Sequence, residues 1–333
     1  MLAARLSLDT LEFGVKEVPL PEPQPGWVRV KVRAAGVCLS DLHLIKGDQT
    51  GLHLTSGEIT LGHEIAGEVD LFGPGVEGWS PGDRVALSLL HNRPDGEYTI
   101  GLDFDGGWAE YVVTPASTLV RIPDSLPFDI AAIVPDAVST PWAAITQTAQ
   151  VKAGEAVGVW GVGGVGTHAI QLLRFVGAAP IIAVDPIEEA RGRALRLGAD
   201  FVIDPTTEDA AEQIKNLTMG RGVDVAFDFV GISAVQAQLL QAAAPLGRAV
   251  FVGVNAEPFV LDMPALLLVM RQQIRGHFAS GPDAIPDLLR LLALGRLDFS
   301  ESISGHYSLR DTAMAVESLD KKTDNPVRLV IVP

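Results

Sequence analysis

The sequence predicts an α/β protein in which a β-rich part precedes a doubly wound, six-stranded parallel sheet. Up to about Pro123 the chain is rich in glycine, proline and alternating apolar residues, a pattern typical of an antiparallel β domain. From Ala131 onward, helical and strand patterns alternate, as crossover connections between parallel strands require. A glycine motif at residues 161–166 stands where one of these strands passes into a helix.

The β-rich part contains several predicted strands. Between Val28 and Val32, valines alternate with charged residues, the period of a half-buried strand. Turn signals containing glycine and proline separate further strands expected at residues 64–71, 84–89 and 108–113. A more polar stretch, residues 91–105, is predicted to be a loop.

The second part has strand patterns that alternate with helical ones. Six strands are expected, at residues 156–160, 181–185, 201–203, 223–230, 249–254 and 274–279. Helices are predicted at residues 188–197 and 285–294, and a final strand at 327–332. Six strands with crossover helices form a doubly wound sheet.

The glycine motif reads Gly161-Val162-Gly163-Gly164-Val165-Gly166. By itself it is equally compatible with a flexible turn, but here a strand precedes it and an apolar helical face follows it. In this setting Gly161 allows the turn, Gly163 lets a pyrophosphate approach the backbone, and Gly166 lets the helix pack on the strand. Because a helix N-terminus binds anions, the motif predicts a dinucleotide site.

Asp185 ends the second strand of the sheet, 19 residues after Gly166. An acidic side chain at this point is expected to bind the adenosine ribose and to repel a 2′-phosphate, which favours NAD(H) over NADP(H). A solvated aspartate at a strand end is the alternative. Arg191 and Arg193 could accept a phosphate if they turned inward, but we interpret them as exposed helix residues.

Gly253 and Val254 end the fifth predicted strand of the sheet. If the sheet is wound as proposed, they lie near the nicotinamide ring. A role in the core and the following turn explains them equally well.

Composition excludes several classes of partner. The chain has 333 residues, enough for two domains, and a formal net charge of −16. Neither nucleic acid nor an anionic membrane surface suits so acidic a protein.

No apolar run has transmembrane length and the N-terminus lacks a signal-peptide pattern, so a cytoplasmic protein is expected. Cys38 is the only cysteine, which rules out an intramolecular disulfide.

Cys38 and His63 are candidate metal ligands. A thiolate and an imidazole suit zinc, and a catalytic zinc takes three protein ligands and keeps one position open. Spacing alone does not distinguish ligands from a buried cysteine and a structural histidine.

Four motifs occur together in this sequence: Gly62-His63-Glu64, Gly82-Asp83-Arg84-Val85, Gly106-Gly107-Trp108-Ala109-Glu110-Tyr111 and the glycine motif. With them the chain resembles the zinc-dependent medium-chain alcohol dehydrogenases over nearly its whole length. The resemblance implies a GroES-like catalytic domain at residues 1–137, a Rossmann NAD-binding domain at 138–279 and a return to the catalytic domain at 280–333. It also implies a catalytic zinc in the cleft between the domains.

The resemblance further implies roles for single residues. Cys38 and His63 match two zinc ligands, and Asp136 stands where the family has its third, usually cysteine but aspartate in some secondary-alcohol dehydrogenases. Glu64 matches a glutamate that lies close to the metal and can approach it.

Three polar residues after Cys38 also match the family. Ser40 matches the hydroxyl that takes the substrate proton, His43 the residue that passes it to solvent, and Asp41 the carboxylate that orients the ligand histidine. A turn or helix cap after Cys38 is the alternative for Ser40 and Asp41. Arg328 resembles an arginine that reaches the cofactor pyrophosphate, and a solvated strand-end arginine is nearly as good an interpretation.

The chain departs from many family members in one respect. They carry four clustered cysteines that bind a structural zinc, whereas residues 89–105 contain none. We therefore expect one catalytic zinc per chain and no structural zinc. The resemblance also implies a homodimer or homotetramer and a small alcohol or ketone substrate, in a pocket formed around Trp142 and by residues 49–56 and 91–105.

These observations predict a zinc- and NAD(H)-dependent alcohol dehydrogenase that acts on a secondary or cyclic alcohol or its ketone. One alternative is a zinc-free, NADPH-dependent quinone or enoyl reductase of the same superfamily, and Cys38, His63 and Asp185 argue against it. The other is a cofactor-binding protein with a structural or regulatory role.

Overall fold

The computed structural model describes residues 1–333 except 49–52, 256–257, 262–263 and 282. The chain divides into two compact units. The first consists of Met1–Ser139 and Ala279–Pro333, and the second of Thr140–Phe278.

The first segment of the chain is mostly β-structure. Its strands are β1 (Leu2–Ser7), β2 (Phe13–Glu17), β3 (Trp27–Val37), β4 (Glu58–Thr60), β5 (Ile65–Phe72), β6 (Arg84–Leu87), β7 (Leu90–Arg93), β8 (Gly96–Thr99), β9 (Tyr111–Pro115) and β10 (Leu119–Arg121). Its helices are α1 (Leu39–Lys46) and α2 (Phe128–Ile133). In β3 the three alternating valines are buried, as their period predicts.

The middle segment alternates helices and strands. Its helices are α3 (Ser139–Ala143), α4 (Gly166–Val176), α5 (Glu188–Leu197), α6 (Ala210–Leu217), α7 (Ser233–Ala242) and α8 (Pro264–Met270). Its strands are β11 (Val157–Trp160), β12 (Ile181–Val184), β13 (Phe201–Ile203), β14 (Val223–Asp228), β15 (Ala243–Phe251) and β16 (Gln273–Gly276).

The six strands of the middle segment form one parallel sheet in the order β13-β12-β11-β14-β15-β16. The order reverses beside β11, so the predicted doubly wound sheet is confirmed. Every residue of β11 and β12 is buried, which explains their continuous apolar runs.

The chain then returns to the first unit through α9 (Ala284–Ala293), β17 (Ile303–Ser308), α10 (Thr312–Asp320) and β18 (Arg328–Val332). A sheet with the strand order β10-β6-β5-β3-β18-β17 includes both returning strands, and β9 also pairs with β3. The strand β18 runs antiparallel to β3 and places Leu329 opposite Val37, next to Cys38.

Three local predictions were wrong. The polar stretch at residues 91–105 is not a loop throughout, because β7 and β8 form a hairpin with the two-residue connection Pro94-Asp95, and proline and aspartate are common turn residues. The strand β15 starts at Ala243, ahead of the predicted residue 249, with a break in register opposite Val223 and Val225. The strand β9 starts at Tyr111 rather than Trp108, whose N–H donates to the carbonyl of Leu61.

Within the part of the chain that the structure describes, every helix is too short or too polar to span a lipid bilayer.

Candidate active site

Cys38, His63 and Asp136 come together inside the first unit although they are far apart in sequence. Oδ2 of Asp136 lies 3.7 Å from Sγ of Cys38 and 3.5 Å from Nε2 of His63. With Glu64, one potential ligand atom from each residue lies within 4.8 Å of the others. We call these four residues the metal cluster.

Cys38 is placed by the start of α1. It is the N-cap residue, and its N–H donates to Oδ2 of Asp41 at 3.0 Å in a capping box. The other oxygen of the fully buried Asp41 accepts from the N–H of Gly62 at 3.1 Å and lies 3.4 Å from Nδ1 of His63. One carboxylate therefore joins the two segments that carry Cys38 and His63, and it acts as a cap and as a partner of the histidine at once.

His63 is placed by the packing of two sequence motifs on each other. The N–H of Gly107 donates to the carbonyl of Gly62 at 2.7 Å, and that of Trp108 to the carbonyl of Leu61 at 2.9 Å. A Cβ at Gly62 would lie 2.3 Å from the Trp108 ring, so no larger residue fits there. This contact explains physically why the two motifs occur together.

Asp136 is presented by a π-helical turn, Val134–Val138, between α2 and α3. The carbonyl of Pro135 accepts a hydrogen bond from Oγ of Ser139 at 2.7 Å. Wide turns of this kind are common at functional sites because they redirect a side chain without ending the helix.

Glu64 and Arg328 form a buried ion pair beside the metal cluster. Oε1 of Glu64 lies 3.2 Å from Nη2 of Arg328, and the side chains are 0% and 3% exposed. The interpretation of Arg328 as a solvated residue is therefore wrong. Sequence reasoning missed this pair because the two residues are far apart in the chain. Glu64 directly precedes β5 and Arg328 begins β18, and these strands are neighbours of β3 on its two sides. A role of Arg328 at a cofactor pyrophosphate stays a prediction.

The electrostatics of the metal cluster suit a cation. Burial by itself lowers the pKa of His63, but Asp41, Asp136 and Cys38 outweigh it and raise that pKa well above its usual value. Burial raises the pKa of Glu64 to about 8, although Arg328 opposes the shift. Sulfur, nitrogen and oxygen donors facing one another are a set that zinc accepts, so the residues fit this ion.

Ser40 and His43 lie on α1, directly after Cys38. Oγ of Ser40 is 3.8 Å from Sγ of Cys38, and the side chain is half-buried. His43 is also half-buried, with Nδ1 3.7 Å from Oδ2 of Asp48. The structure therefore puts one hydroxyl at the edge of the metal cluster and an imidazole one turn further along the helix.

In the second unit the glycine motif joins β11 to α4. Gly161 has φ +84°, and a Cβ at Gly166 would lie 1.8 Å from the carbonyl oxygen of Gly161. A Cβ at Gly163 would meet nothing within 4 Å. Gly164 and Val165 stand at the N-terminus of α4, the end that carries positive partial charge. We call residues 161–166 the glycine loop.

Asp185 faces the glycine loop and is not a solvated aspartate. Its side chain is buried, Oδ2 accepts from the N–H of Val162 at 2.7 Å, and Oδ1 accepts from the N–H of Ile187 at 2.8 Å. The carboxylate thus orders the loop next to which a ribose is expected to bind.

Arg191 and Arg193 are not exposed, contrary to the sequence interpretation. Arg191 donates to the carbonyl of Asp185 at 2.7 Å, and its Nη2 lies 3.0 Å from a carboxylate oxygen of Asp204. Arg193 is 8% exposed and donates to the carbonyl of Val162 at 2.8 Å. Its position could have been found from the sequence, because it shares a helical face with Ala190 and Ala194, which are both buried.

Gly253 and Val254 follow the end of β15 and line a surface cavity of about 500 Å³ together with Gly231 and His277. Val254 is half exposed, so it is not a core residue. Of the predicted pocket, residues 49–52 lie outside the described residues, and Trp142 lies on α3.

The comparisons with known proteins agree on a family. The model of the alcohol dehydrogenase GroES-like domain matches residues 24–124, and that of the zinc-binding dehydrogenase matches residues 164–293. An L-threonine 3-dehydrogenase from Pyrococcus furiosus is 32% identical over 89% of each chain. This chain belongs to the zinc-type medium-chain alcohol dehydrogenases.

Solved structures support the same conclusion for this dehydrogenase. The 2R,3R-butanediol dehydrogenase from Bacillus subtilis is 28% identical with a TM-score of 0.90, covering 100% of this chain and 99% of that one. A zinc-binding dehydrogenase from Sinorhizobium meliloti bound to NADP is 26% identical with a TM-score of 0.90, covering 100% of both chains. This dehydrogenase is an oxidoreductase with a GroES-like and a Rossmann-like domain.

Proposed function

We propose that this dehydrogenase transfers a hydride between a secondary or cyclic alcohol, or its ketone, and NAD(H), with one catalytic zinc per chain. The observation that carries the proposal is the convergence of Cys38, His63 and Asp136 within the GroES-like unit. A zinc-free reductase has no need of these three donors at one point.

Cys38, His63 and Asp136 would hold the zinc, with Glu64 beside them. Bound zinc supplies Lewis acidity, which lowers the pKa of an alcohol hydroxyl, and the nicotinamide supplies the hydride acceptor. Asp41 keeps the ring of His63 in place, and its carboxylate accepts hydrogen bonds from the N–H groups of Cys38 and Gly62.

Ser40 takes the proton of the substrate hydroxyl in this proposal, and His43 delivers it to solvent. The position of Ser40 at the edge of the metal cluster and the partial exposure of His43 support these roles. Imidazole suits proton transfer near neutral pH because its ordinary pKa lies in that range.

NAD(H) is proposed over NADP(H) because a buried carboxylate, Asp185, stands at the end of β12. Two like charges about 4 Å apart repel each other by about 4 kcal/mol at an effective dielectric constant of about 20. Arg191 interacts with Asp204, and Arg193 is buried beneath the glycine loop, so both are already engaged within the protein.

The substrate class rests on two relatives. Position 3 of L-threonine and both alcohol carbons of 2,3-butanediol carry secondary hydroxyls, and these compounds appear in the names of the Pyrococcus and Bacillus enzymes. We extend this to a small secondary or cyclic alcohol here, and propose that the protein is a homodimer or homotetramer.

The test is a panel of primary, secondary and cyclic alcohols and their ketones, each assayed with NAD(H) and NADP(H) by absorbance. We expect secondary or cyclic substrates to have the highest kcat/KM, and NAD to exceed NADP at least a hundredfold. Preference for NADPH, with activity that survives Cys38→Ala, would indicate the zinc-free reductase instead. Binding of NADH without turnover of any substrate would favour the cofactor-binding role.

A further inference from the structure

Arg193 lies beneath the glycine loop and contacts it through its guanidinium. Nη2 donates to the carbonyl of Val162 at 2.8 Å, and Nε donates to Oγ1 of Thr167 at 3.3 Å. The same hydroxyl of Thr167 donates to the carbonyl of Val162 at 3.0 Å. The side chain that comes from α5 therefore holds both the loop and the first turn of α4.

Both backbone hydrogen-bonding groups of Val162, its N–H and its carbonyl, are bound by side chains. Asp185 accepts from its N–H at 2.7 Å, while Arg193 and Thr167 donate to its carbonyl. The residue stands between Gly161 and Gly163, where the chain has the greatest backbone freedom to lose. Side chains of opposite charge thus restrain both hydrogen-bonding groups of this residue.

The burial of Arg193 carries a free-energy cost. Burial lowers its pKa, although Asp185 opposes the shift, and removing a guanidinium from water is unfavourable. An apolar side chain on this face of α5, like those of Ala190 and Ala194, would have no such cost. An apolar residue at this position could not donate a hydrogen bond to the Val162 carbonyl, which Arg193 does.

We propose that Arg193 is a positioning residue for the dinucleotide, which acts by holding the Val162 carbonyl so that the glycine loop is ordered before the cofactor binds. A loop that is already ordered loses less conformational freedom on binding, and its affinity is higher for that reason. This inference rests on the proposed nicotinamide cofactor. Arg193 does not touch the reacting atoms, so its removal acts on binding and leaves the hydride step unchanged.

The test compares NADH binding by full-length wild type, Arg193→Met, Arg193→Lys and a control variant. In the control, Arg248→Met, a half-buried arginine is lost from its 2.6 Å ion pair with Glu155, close to the amino end of β11 rather than at the glycine loop. Binding is measured by fluorescence titration, and hydrogen exchange is followed in the peptide that contains residues 161–167.

For Arg193→Met we expect the Kd for NADH to rise about tenfold and KM for the cofactor to rise with it, while kcat stays within about twofold. Amide exchange in the glycine loop speeds up in the free protein and returns to the wild-type rate when NADH is saturating. Arg193→Lys, which keeps one donor, shows about a threefold rise, and Arg248→Met keeps the wild-type Kd.

A folded Arg193→Met variant with the wild-type Kd and loop exchange would overturn the inference. If that variant does not fold, Arg193→Lys decides, because it keeps the charge but loses the planar guanidinium that contacts Val162 and Thr167 together. An unchanged Kd and unchanged loop exchange in Arg193→Lys then contradict the inference. Wild-type protein that binds neither NADH nor NADPH would refute the proposed function itself.

Discussion

Asp41→Asn is the substitution that tests most sharply how the metal cluster is built. The carboxylate of Asp41 is fully buried and accepts from the N–H groups of Cys38 and Gly62, at 3.0 and 3.1 Å. An asparagine has one acceptor oxygen, so its NH₂ group must face one of these donors. One charge-assisted hydrogen bond is lost and a buried N–H is left unpaired, which costs about 3 kcal/mol.

The effect on zinc is separate from the effect on stability. Nδ1 of His63 lies 3.4 Å from Asp41, and loss of such a partner weakens metal binding by about 10- to 100-fold. Urea denaturation of the metal-free protein measures the loss of unfolding free energy, and competition with a chromogenic chelator measures the loss of zinc affinity. Both are expected to change in Asp41→Asn.

The control for Asp41→Asn is Asp70→Asn, in the same unit. Asp70 is one third exposed and pairs with Nε of Arg29 at 2.6 Å, so its loss costs about 1 kcal/mol or less and leaves zinc binding alone. If Asp41→Asn matched the control in both assays, the account of how Cys38 and His63 are placed would be refuted.

Three further predictions concern other parts of the two units. Asp136→Asn is expected to weaken zinc binding about a hundredfold, measured with the same chelator, because a neutral amide replaces an anionic ligand. Gly166→Ala is expected to cost about 3 kcal/mol of unfolding free energy and to raise the Kd for NADH, since its Cβ would meet the Gly161 carbonyl at 1.8 Å. Arg328→Met is expected to cost about 3 kcal/mol in urea denaturation above pH 8, where Glu64 is ionised in the wild type, because loss of the cation leaves its carboxylate buried and unpaired.

Each of these variants has an outcome that contradicts the reasoning. Wild-type zinc affinity in Asp136→Asn would remove this residue from the ligand set. Gly163→Ala, where a Cβ meets no atom within 4 Å, is the control for Gly166→Ala, and equal stability of the two would deny the close approach at Gly166. For Arg328→Met, addition of Glu64→Gln should restore part of the lost stability, and no restoration would mean that the ion pair is not the cause.

Much of the fold was predictable because the signals are local. The buried strands β11 and β12 are short apolar runs, α5 coincides with its predicted bounds, and the regular alternation of strands and helices predicts the doubly wound parallel sheet. The hairpin of β7 and β8 was missed because its residues are mostly polar, although Pro94-Asp95, two common turn residues, forms its turn.

The metal cluster could be predicted only through the family resemblance. Cys38 and Asp136 are 98 positions apart, and nothing in their spacing shows that they meet. The roles of Asp41, Glu64 and Arg328 within the fold depend on contacts across strands and turns. Arg193 was misjudged because charged residues on helices are usually exposed. Here Arg193 lies on the buried face of α5 and is buried despite its charge.

The presence of a catalytic zinc is measured by inductively coupled plasma mass spectrometry of the protein purified without chelator. We expect about one zinc per chain in the wild type, and little in a folded Cys38→Ser variant that has also lost its dehydrogenase activity. Active wild-type protein that carries no metal, or a Cys38→Ser variant that keeps both its zinc and its activity, would show that the metal cluster is not a catalytic zinc site.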